Sequence, residues 1–571
     1  MFARRRFLAA SALLGCGAPS PARPQRRRSP PRLSETADVV DELISAWRAQ
    51  APEVIGLSLV VLCDGEVAIA RGYGKADLEA GRDADADTVY AIGSLTKPYT
   101  ALTALRAAAD GHLDLDAPLL RYLPELPASF AAISPRLLLC HRSGLPSDWY
   151  RGSMGAGPPW TDLVRELADE PLLAPPDSWH AYSNVGYTLL AHTLERATGR
   201  PYTELLAAAI AAELGAAAPT SSSPPSTPEF ADPASLPAYY QGRRLAEPHL
   251  RLAPAAGLHA SVLTMVPLLR WLLTPGPLAS AMLDPQPASP LDLGERWSLG
   301  LSLRHVGLDY AGRVGFHIGR TYCHRSAMGV LPDHGLAAVA LANSREASGV
   351  EQLVVTALQT ALLERHGVDL PPIHGDAELA PVVRLDPDVL RAHTGRYVTD
   401  SDIAELVLDG GALVSRSEAG DVTLAPASGG EFTSSTNVEA RVRLRRIAGH
   451  HVLSNRVRAV ETRVAVRCPE GHVPEAWWQR LGRYRVAAPA DEVLAFHTAA
   501  LERDGDGLYL RVHSPLKEAP TLARYALHAR DDHDARILGV GRGKGQRVAA
   551  VDDTSVGPCL QWAGYRLVRE A

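Results

Sequence analysis

The pattern of hydrophobic and polar residues along the chain changes near residue 374, and this change limits the folds that the chain can adopt. Upstream, long segments with helical periodicity alternate with apolar runs of strand length. Downstream, short alternating strands are separated by Gly and Asp-Gly turns, which is typical of small antiparallel barrels. The sequence therefore predicts an α/β region followed by an all-β region.

The downstream region contains a weak internal repeat. Gly395-Arg396-Tyr397 and Gly482-Arg483-Tyr484 are 87 positions apart. In a chain this rich in arginine, a three-residue match also arises by chance. We interpret the repeat as a duplication and predict two β-barrel domains, at residues 380–470 and 475–571.

The upstream region predicts one sheet interrupted by helices. Residues 35–50 have helical periodicity, and residues 55–62 and 66–73 are strand-like around Asp64-Gly65, a tight-turn pair. A mainly helical stretch follows from 94 to 273. Strand patterns then return at residues 297–305, 312–318, 325–331 and 336–342, and residues 348–365 are again helical. Because strands lie at both ends of this region, we predict a single domain at residues 35–370. Its late strands would complete the sheet begun by the early strands, and the helices between them would form a subdomain.

The first residues are typical of an export signal. Arg4-Arg5-Arg6 precedes a short apolar stretch, and Leu13-Leu14-Gly15-Cys16 resembles a bacterial lipoprotein cleavage box. We expect a signal peptide at 1–16, a lipid anchor on Cys16 and a flexible tether at 17–34. Plain cleavage nearby is the alternative. Either predicts an exported bacterial protein, periplasmic or at the cell surface.

Charge and cysteine content exclude several other classes of protein. Lys+Arg total 58 against 64 for Asp+Glu, so no basic excess is available to neutralise a nucleic acid backbone. Hydrophobic residues at 46% and charged residues at 21% are ordinary globular values. The cysteines after Cys16 match no metal-binding spacing, and most are expected to be small buried residues; Cys468 with Cys559 is the one disulfide we considered.

Ser94-Leu95-Thr96-Lys97 is the sharpest chemical signal. Three positions apart on a helix, Ser94 and Lys97 share one face, so the amine can reach the hydroxyl and activate it as a nucleophile. If Ser94 opens the helix, backbone N–H groups also favour negative charge there. The plainer alternative is a capping serine with a surface lysine. The chain has only four lysines, which makes a chance match less frequent.

Two further phrases follow in the chain. Tyr182-Ser183-Asn184 precedes a helical run, and Phe316-His317-Ile318-Gly319 lies on a candidate strand, with a glycine where another backbone can approach closely. Taken singly, such a tyrosine or histidine is more often a packed core residue. The ordered set of three phrases is what points to a function.

With these motifs the chain resembles the penicillin-recognising serine hydrolases, which include class C β-lactamases, penicillin-binding proteins, esterases and D-aminopeptidases. The resemblance covers about residues 36–366 and includes the connecting phrase His141-Arg142-Ser143-Gly144-Leu145. It implies a β-lactamase-like α/β fold with an antiparallel sheet flanked by helices. It also implies a small-molecule or short-peptide substrate, with neither a metal nor an organic cofactor.

The resemblance also implies roles for individual residues. Ser94 would form an acyl-enzyme, and Lys97 and Tyr182 would share the proton transfers, with the identity of the acylation base left open. Asn184 would hold Lys97 and contact the substrate, and the N–H groups of Ser94 and Arg320 would form the oxyanion hole beside Gly319.

His317 and the segment after it narrow the substrate. Relatives that bind a terminal carboxylate often have lysine at this position, whereas a histidine is mostly neutral at pH 7. This weighs against carboxypeptidase activity and, less strongly, against β-lactam hydrolysis. Tyr322-Cys323-His324-Arg325 departs from the family pattern. We considered His324 and Arg325 as contacts to an anionic substrate group or as a solvated strand edge.

The layout, with two barrels after the hydrolase domain, is similar to that of bacterial D-aminopeptidases, in which a barrel loop reaches towards the active site. The leading hypothesis is therefore an exported serine hydrolase acting on short D-amino-acid peptides or amides. An esterase or class C-like β-lactamase is the alternative. An inactive sensor of cell-wall peptides or penicillin is less favoured, because a binder needs no activated nucleophile.

Overall fold

The computed structural model describes most of the chain after the predicted leader. The described residues are 33–149, 151, 162–167, 170–216, 236–248, 251–274, 276–371, 383–399, 403–417, 420–436, 441–457, 460–469, 471–487, 496–513 and 521–570. The predicted signal peptide, with Cys16, lies outside them, as does the predicted tether up to residue 32. Of that tether, Leu33 is buried and Ser34 already begins a helix. No helix among the described residues is long and apolar enough to span a membrane.

The elements follow the predicted division into a mixed region and an all-β region. The helices are α1 Ser34–Gln50, α2 Thr96–Ala109, α3 Pro135–Leu139, α4 Leu163–Glu166, α5 Asn184–Thr198, α6 Tyr202–Leu214, α7 Ala253–Ala256, α8 Val262–Leu273, α9 Pro277–Ala281, α10 Val350–His366, α11 Pro387–Arg391 and α12 Glu475–Trp478. The strands of the first domain are β1 Gly56–Cys63, β2 Glu66–Asp77, β3 Arg82–Asp83, β4 Tyr90–Ala91, β5 Ala238–Tyr240, β6 Arg243–Leu245, β7 His259–Ala260, β8 Gly315–Arg320, β9 Arg325–Leu331 and β10 Leu336–Ala342. The strands of the barrels are β11 Gly395–Val398, β12 Ile403–Asp409, β13 Ala412–Ser417, β14 Gly420–Ala427, β15 Glu431–Ser434, β16 Arg441–Ile447, β17 His450–Val457, β18 Val460–Arg467, β19 Gly482–Ala487, β20 Thr498–Asp504, β21 Gly507–His513, β22 Thr521–Ala529, β23 Asp534–Ile537, β24 Arg547–Asp553, β25 Gly557–Trp562 and β26 Tyr565–Arg569.

A six-stranded antiparallel sheet forms the centre of the first domain. Its order is β3-β2-β1-β10-β9-β8, so the strands from the end of the domain complete the sheet begun by the first hairpin, as predicted. That hairpin turns at Asp64 and Gly65, both with positive φ. Every residue of β1 and β10 is buried, because α1 and α10 cover one face and the helical subdomain covers the other.

The strand predicted at residues 297–305 is wrong. The segment makes only single bridges, Trp297 to Ser302 and Ser302 to Phe316. Its chain turns at Gly300, whose φ is 110° and where an added Cβ would lie 2.7 Å from the Cβ of Ala101 on α2. Close packing against α2 therefore overrides the local alternation.

The all-β region forms the two predicted antiparallel barrels, and each is closed and has eight strands. The repeated phrase begins the first strand of each, β11 and β19. Tyr397 and Tyr484 each donate a hydrogen bond to the carbonyl four residues earlier, at His393 and Arg480. The two phrases thus occupy equivalent positions, which supports the interpretation of a duplication.

The second barrel packs directly on the first domain. An added Cβ at Gly564 would lie 2.7 Å from Trp149 Nε1, and one at Gly545 would lie 2.5 Å from the Leu173 carbonyl oxygen. Glycine at these positions lets the two backbones approach closely.

The considered disulfide is absent. All five described cysteines are free thiols, so the pairing of Cys468 with Cys559 is wrong. Cys559 is buried on β25 and Cys468 is partly buried beyond the end of β18, in the other barrel.

Candidate active site

Ser94 lies in a tight turn between the sheet and the helical subdomain. It belongs to a 3-10 turn, Gly93–Leu95, just before α2, so the condition that Ser94 itself opens the α-helix is not met. Gly93 has a φ of 54°, and an added Cβ there would lie 2.7 Å from the Arg320 backbone nitrogen. The close passage of β8 fixes this turn. Ser94 is partly exposed although its neighbours Gly93 and Leu95 are buried.

The Lys97 side chain is fully buried and directed at Ser94. Its Nζ lies 3.1 Å from Ser94 Oγ, 2.6 Å from Asn184 Oδ1 and 2.9 Å from the Ala255 carbonyl oxygen. The last two oxygens only accept hydrogen bonds, so in a neutral amine both N–H groups have partners and the lone pair faces the serine hydroxyl. Burial holds the pKa of Lys97 well below its usual range, and the charge of Arg542 lowers the pKa further, against the opposing effect of Asp148.

Tyr182 lies beside this pair. Lys97 Nζ is 4.6 Å from the centre of the Tyr182 ring. Burial raises the pKa of Tyr182 above its ordinary value of about 10, against a hydrogen-bonding interaction with Ser94. At neutral pH Tyr182 is therefore a phenol that can donate a proton, while Lys97 is the group suited to accept one.

An aromatic cluster supports Tyr182 from behind. The ring of His141 packs 4.2 Å from that of Tyr182, and His141 Nδ1 accepts a hydrogen bond from the Ser183 N–H. Trp297 stacks on His180 and meets His141 edge-on, each at 4.9 Å. Trp297 was not singled out from the sequence, where its segment resembled a strand.

The backbones of Ser94 and Gly319 meet at this site. An added Cβ at Gly319 would lie 2.2 Å from the Ile92 carbonyl oxygen and 3.1 Å from the Ser94 nitrogen. Ser326 on β9 donates a 2.7 Å hydrogen bond to that same carbonyl. Only glycine allows β8 to pass this close. The peptide leading into Arg320 is thereby brought beside that of Ser94, where the motif analysis placed an oxyanion hole.

His317 is a buried neutral acceptor in this site. Its Nδ1 donates to the Ile318 carbonyl at 2.7 Å, and its Nε2 has no hydrogen-bond partner among the described residues. Burial, together with the charge of Lys97, lowers the pKa of His317 to about 3. The imidazole is therefore uncharged at neutral pH and cannot supply the cation that binds a substrate carboxylate.

The structure adds a charged pair that the motif analysis missed. Asn184 Nδ2 donates to Asp148 Oδ1 at 2.5 Å, and Arg542 Nη2 donates to Asp148 Oδ2 at 3.0 Å. Arg542 also donates from Nε to Ser147 Oγ at 2.9 Å and lies 5.1 Å over the Tyr182 ring. The second barrel thus reaches the site.

A sequence signal for this contact existed. Residues 539–545, which we call the glycine loop, have glycine at every second position, and each of the four has a positive φ. Such alternation predicts a tight loop that presents the residues between its glycines, Arg542 among them.

His324 is neither a solvated strand edge nor a substrate contact. It is fully buried and its Nδ1 lies 3.1 Å from Glu247 Oε2. Glu247 also accepts the N–H groups of Tyr322 and Cys323 at 2.8 and 2.9 Å. Arg325 donates to the carbonyls of Thr321 and His324, so it too is used within the turn. Glu247 therefore fixes the β8–β9 turn that follows the predicted oxyanion residue.

We expect Glu247→Gln to destabilise the domain and slow the reaction. An amide replaces one carboxylate oxygen with a donor that faces other donors, so the free energy of unfolding should fall by about 3 kcal/mol. Urea unfolding measures this loss. Movement of the turn should also lower kcat, with Glu66→Gln, a change on the exposed start of β2, as control.

The stability that Glu247 contributes changes with pH in a definite direction. Burial raises the pKa of Glu247, but its hydrogen bonds outweigh this effect and the pKa is lowered overall. The stabilisation by Glu247 is therefore present above the ordinary pKa of a glutamate and is lost as pH falls through the lowered pKa. Equal stabilities of wild type and Glu247→Gln at neutral pH would contradict this role.

A family model described as Beta-lactamase matches residues 44–361, more than half of the chain. The chain belongs to this family of serine hydrolases. Among the described residues, no cluster of three His, Cys, Asp or Glu side chains is arranged to hold a metal ion.

Curated relatives match the chain in part. It is 37% identical to "Esterase EstB" of Burkholderia gladioli over 183 residues, which are 28% of this chain and 46% of that protein. It is 28% identical to "Protein flp" of Staphylococcus aureus strain MW2 over 181 residues, which are 31% of this chain and 36% of that protein. The match thus spans less than half the length of these relatives.

Solved structures share the fold over a longer part of the chain. The crystal structure of SurE with D-Leu superposes with a TM-score of 0.51 and 23% identity, covering 76% of this chain and all of that one. The octameric penicillin-binding protein homologue from Pyrococcus abyssi gives 0.50 and 21%, with the same coverages. At these identities the likeness establishes the fold.

Proposed function

We propose that the protein is an exported serine hydrolase that forms an acyl-enzyme on Ser94 and cleaves short D-amino-acid peptides or amides. The observation that carries the proposal is the contact between Ser94 Oγ and the fully buried Lys97 Nζ at 3.1 Å. A neutral amine at hydrogen-bond distance is what activation of a serine requires.

The proposed reaction uses four groups. The Ser94 hydroxyl gives its proton to the Lys97 amine as Oγ bonds to the substrate carbonyl carbon. The carbonyl oxygen becomes an oxyanion beside the N–H groups of Ser94 and Arg320. The carbonyl then re-forms as the carbon–nitrogen bond breaks, and Tyr182 donates its phenolic proton to the leaving nitrogen and recovers one from the Lys97 ammonium. Water then attacks the ester, releases the acid and restores the Ser94 hydroxyl.

Lys97 is the acylation base in this proposal. Burial moves the pKa values of the two candidates in opposite directions: the pKa of Lys97 is lowered and that of Tyr182 is raised. Near neutral pH the amine is the better acceptor and the phenol the better donor. These opposite directions support Lys97 over Tyr182 as the base in this proposal.

The proposed substrate class is supported by the neutral state of His317 and by the shared fold with SurE. A neutral His317, whose Nε2 has no hydrogen-bond partner among the described residues, disfavours substrates held by a terminal carboxylate and favours those with an N–H or ammonium group. D-Leu is the ligand named for SurE, which shares the fold over 76% of this chain.

Export is supported by the basic and apolar start of the sequence, with Cys16 as the proposed anchor.

Ester hydrolysis is the second candidate. It is favoured by the 37% identity to Esterase EstB, although that match covers only 28% of this chain. An ester needs no protonation of a poor leaving nitrogen, so the same serine and lysine would suffice.

A substrate panel on the signal-free protein tests the proposal. It contains D-alanine amide, L-alanine amide as matched control, a D-alanine dipeptide, a short-chain p-nitrophenyl ester and a cephalosporin. We expect turnover of the D-alanine amide, little turnover of its L-enantiomer, and an acyl adduct on the Ser94 peptide by mass spectrometry. Turnover of the ester alone would favour the second candidate. Cephalosporin turnover alone would indicate a β-lactamase, and an inert Ser94 would overturn the hydrolase.

A further inference from the structure

We propose that Arg542, on the second barrel, is a positioning residue for Lys97, which it reaches through Asp148 and Asn184, so that the docked barrel controls the activation of Ser94. The inference rests on the proposed function of Ser94 and Lys97. It concerns a residue 394 positions away in the chain from Asp148, its contact in the first domain.

The chain of hydrogen bonds from barrel to nucleophile is continuous. Arg542 Nη2 donates to Asp148 at 3.0 Å, Asp148 accepts from Asn184 Nδ2 at 2.5 Å, and Asn184 Oδ1 accepts from Lys97 at 2.6 Å. Asp148 thereby sets the amide of Asn184 with its oxygen towards the lysine. A rotation of that amide would turn an N–H group towards Lys97 and break the arrangement.

Arg542 is held in place by several contacts at once. Its Nε donates to Ser147 Oγ at 2.9 Å, and Ser147 Oγ in turn donates to Asp148 at 2.6 Å. Its guanidinium lies 5.1 Å over the Tyr182 ring. One contact from the guanidinium thus reaches Asp148 Oδ2 directly and the other reaches the same oxygen through Ser147, so both hold this carboxylate oxygen in place.

The glycine loop that carries Arg542 is in close contact with two other domains. Within the loop, an added Cβ at Gly545 would lie 2.5 Å from the Leu173 carbonyl oxygen of the first domain, and one at Gly541 would lie 2.7 Å from Arg463 of the first barrel. The loop is thus wedged between the first domain and the first barrel. The contact to Asp148 depends on the packing of all three domains.

The charges around Lys97 determine the direction in which loss of Arg542 should move the pKa of Lys97. Asp148, which faces it through Asn184, raises the pKa of Lys97, and Arg542 lowers it. The other titratable groups around the amine are His141, His317, Tyr182 and Tyr187.

These four groups are uncharged at neutral pH. Burial lowers the pKa values of the two histidines and raises those of the two tyrosines. Removing the charge of Arg542 therefore leaves Asp148 as the dominant charge near Lys97, and the amine holds its proton to a higher pH.

The experiment measures the rate at which a fluorophosphonate labels Ser94 in the full chain as a function of pH. The variants are Arg542→Gln, Arg542→Lys and the double variant Arg542→Gln with Asp148→Asn. Arg530→Gln is the matched control, because Arg530 on the same barrel is 57% exposed and paired with Asp534, while Arg542 is 56% exposed and paired with Asp148.

In Arg542→Gln we expect the acidic limb of the labelling profile to move to higher pH by about one unit, which slows labelling about tenfold below the limb. In Arg542→Lys and in the control Arg530→Gln the acidic limb should lie at the same pH as in the wild type. In the double variant it should return towards the wild-type pH.

A uniform loss of labelling at every pH, with the limb in place, would indicate a merely structural role and overturn the inference. Absence of labelling in the wild type would overturn the proposed function as well, whereas a labelled wild type with an unmoved limb in Arg542→Gln overturns this inference alone.

Discussion

Replacing Ser94 with alanine is expected to lower kcat/KM for any substrate of the panel by about 10⁴-fold or more, because the bond to the acyl group can no longer form. The loss should be equally complete for amides and esters, since both pass through the same acyl-enzyme. It is measured as turnover and as disappearance of the labelled Ser94 peptide.

The fold should survive this change. Ser94 is partly exposed in a turn whose course is set by Gly93 and by the passage of β8. The melting temperature of Ser94→Ala should therefore lie close to that of the wild type.

Ser261→Ala provides a matched control with the opposite pattern. Ser261 caps α8 through a reciprocal pair of hydrogen bonds with Thr264, and its loss should cost about 1 kcal/mol of stability. Its activity per folded molecule should remain that of the wild type. Residual turnover in Ser94→Ala within tenfold of the wild type would remove Ser94 from the role of nucleophile.

Features determined by short sequence separations could be predicted from the sequence. The hairpin at Asp64-Gly65 depends on two residues with positive φ, and the Ser94 to Lys97 contact depends on one turn of helix. The two barrels followed from alternation, turns and the repeated phrase at Gly395 and Gly482. In each case neighbouring residues carry the information.

The strand expected at 297–305 failed because its conformation is decided elsewhere. Local alternation there is overridden by the contact of Gly300 with Ala101 on α2, a residue almost two hundred positions earlier. The same cause explains His324, for which the sequence left open a substrate contact or a solvated strand edge. Glu247, 77 positions away, buries and pairs it instead. Local patterning cannot indicate a partner at such a distance.

The joining of the second barrel to the active site could not be predicted from residue spacing. Asp148 lies outside the three catalytic motifs, three positions after the connecting phrase that ends at Leu145, and Arg542 is 394 positions from Asp148. The resemblance to D-aminopeptidases implied a loop from the barrels near the site but named no residue. The alternating glycines around Arg542 were the one local sign of a loop built for close approach.

Lys97→Met is expected to reduce kcat/KM by about 10³-fold, within the range lost when a general base is removed. Methionine occupies a similar volume and suits the buried position, but it cannot take the Ser94 proton. Lys97→Arg should be as inactive as Lys97→Met, because a guanidinium keeps its charge at every accessible pH and cannot act as a base. Turnover and fluorophosphonate labelling measure both variants.

The comparison of the two variants separates a base from a fixed positive charge. If Lys97 acted as a cation that stabilises the oxyanion, arginine would retain much of the activity while methionine would not. If Lys97 is the base, wild-type activity rises with pH as the amine deprotonates at a pKa well below 10.5, because burial and Arg542 lower that pKa. The residual activity of either variant should then lack this acidic limb. An active Lys97→Arg enzyme, or a limb that persists in Lys97→Met, would assign the base to another residue, with Tyr182 the nearest candidate.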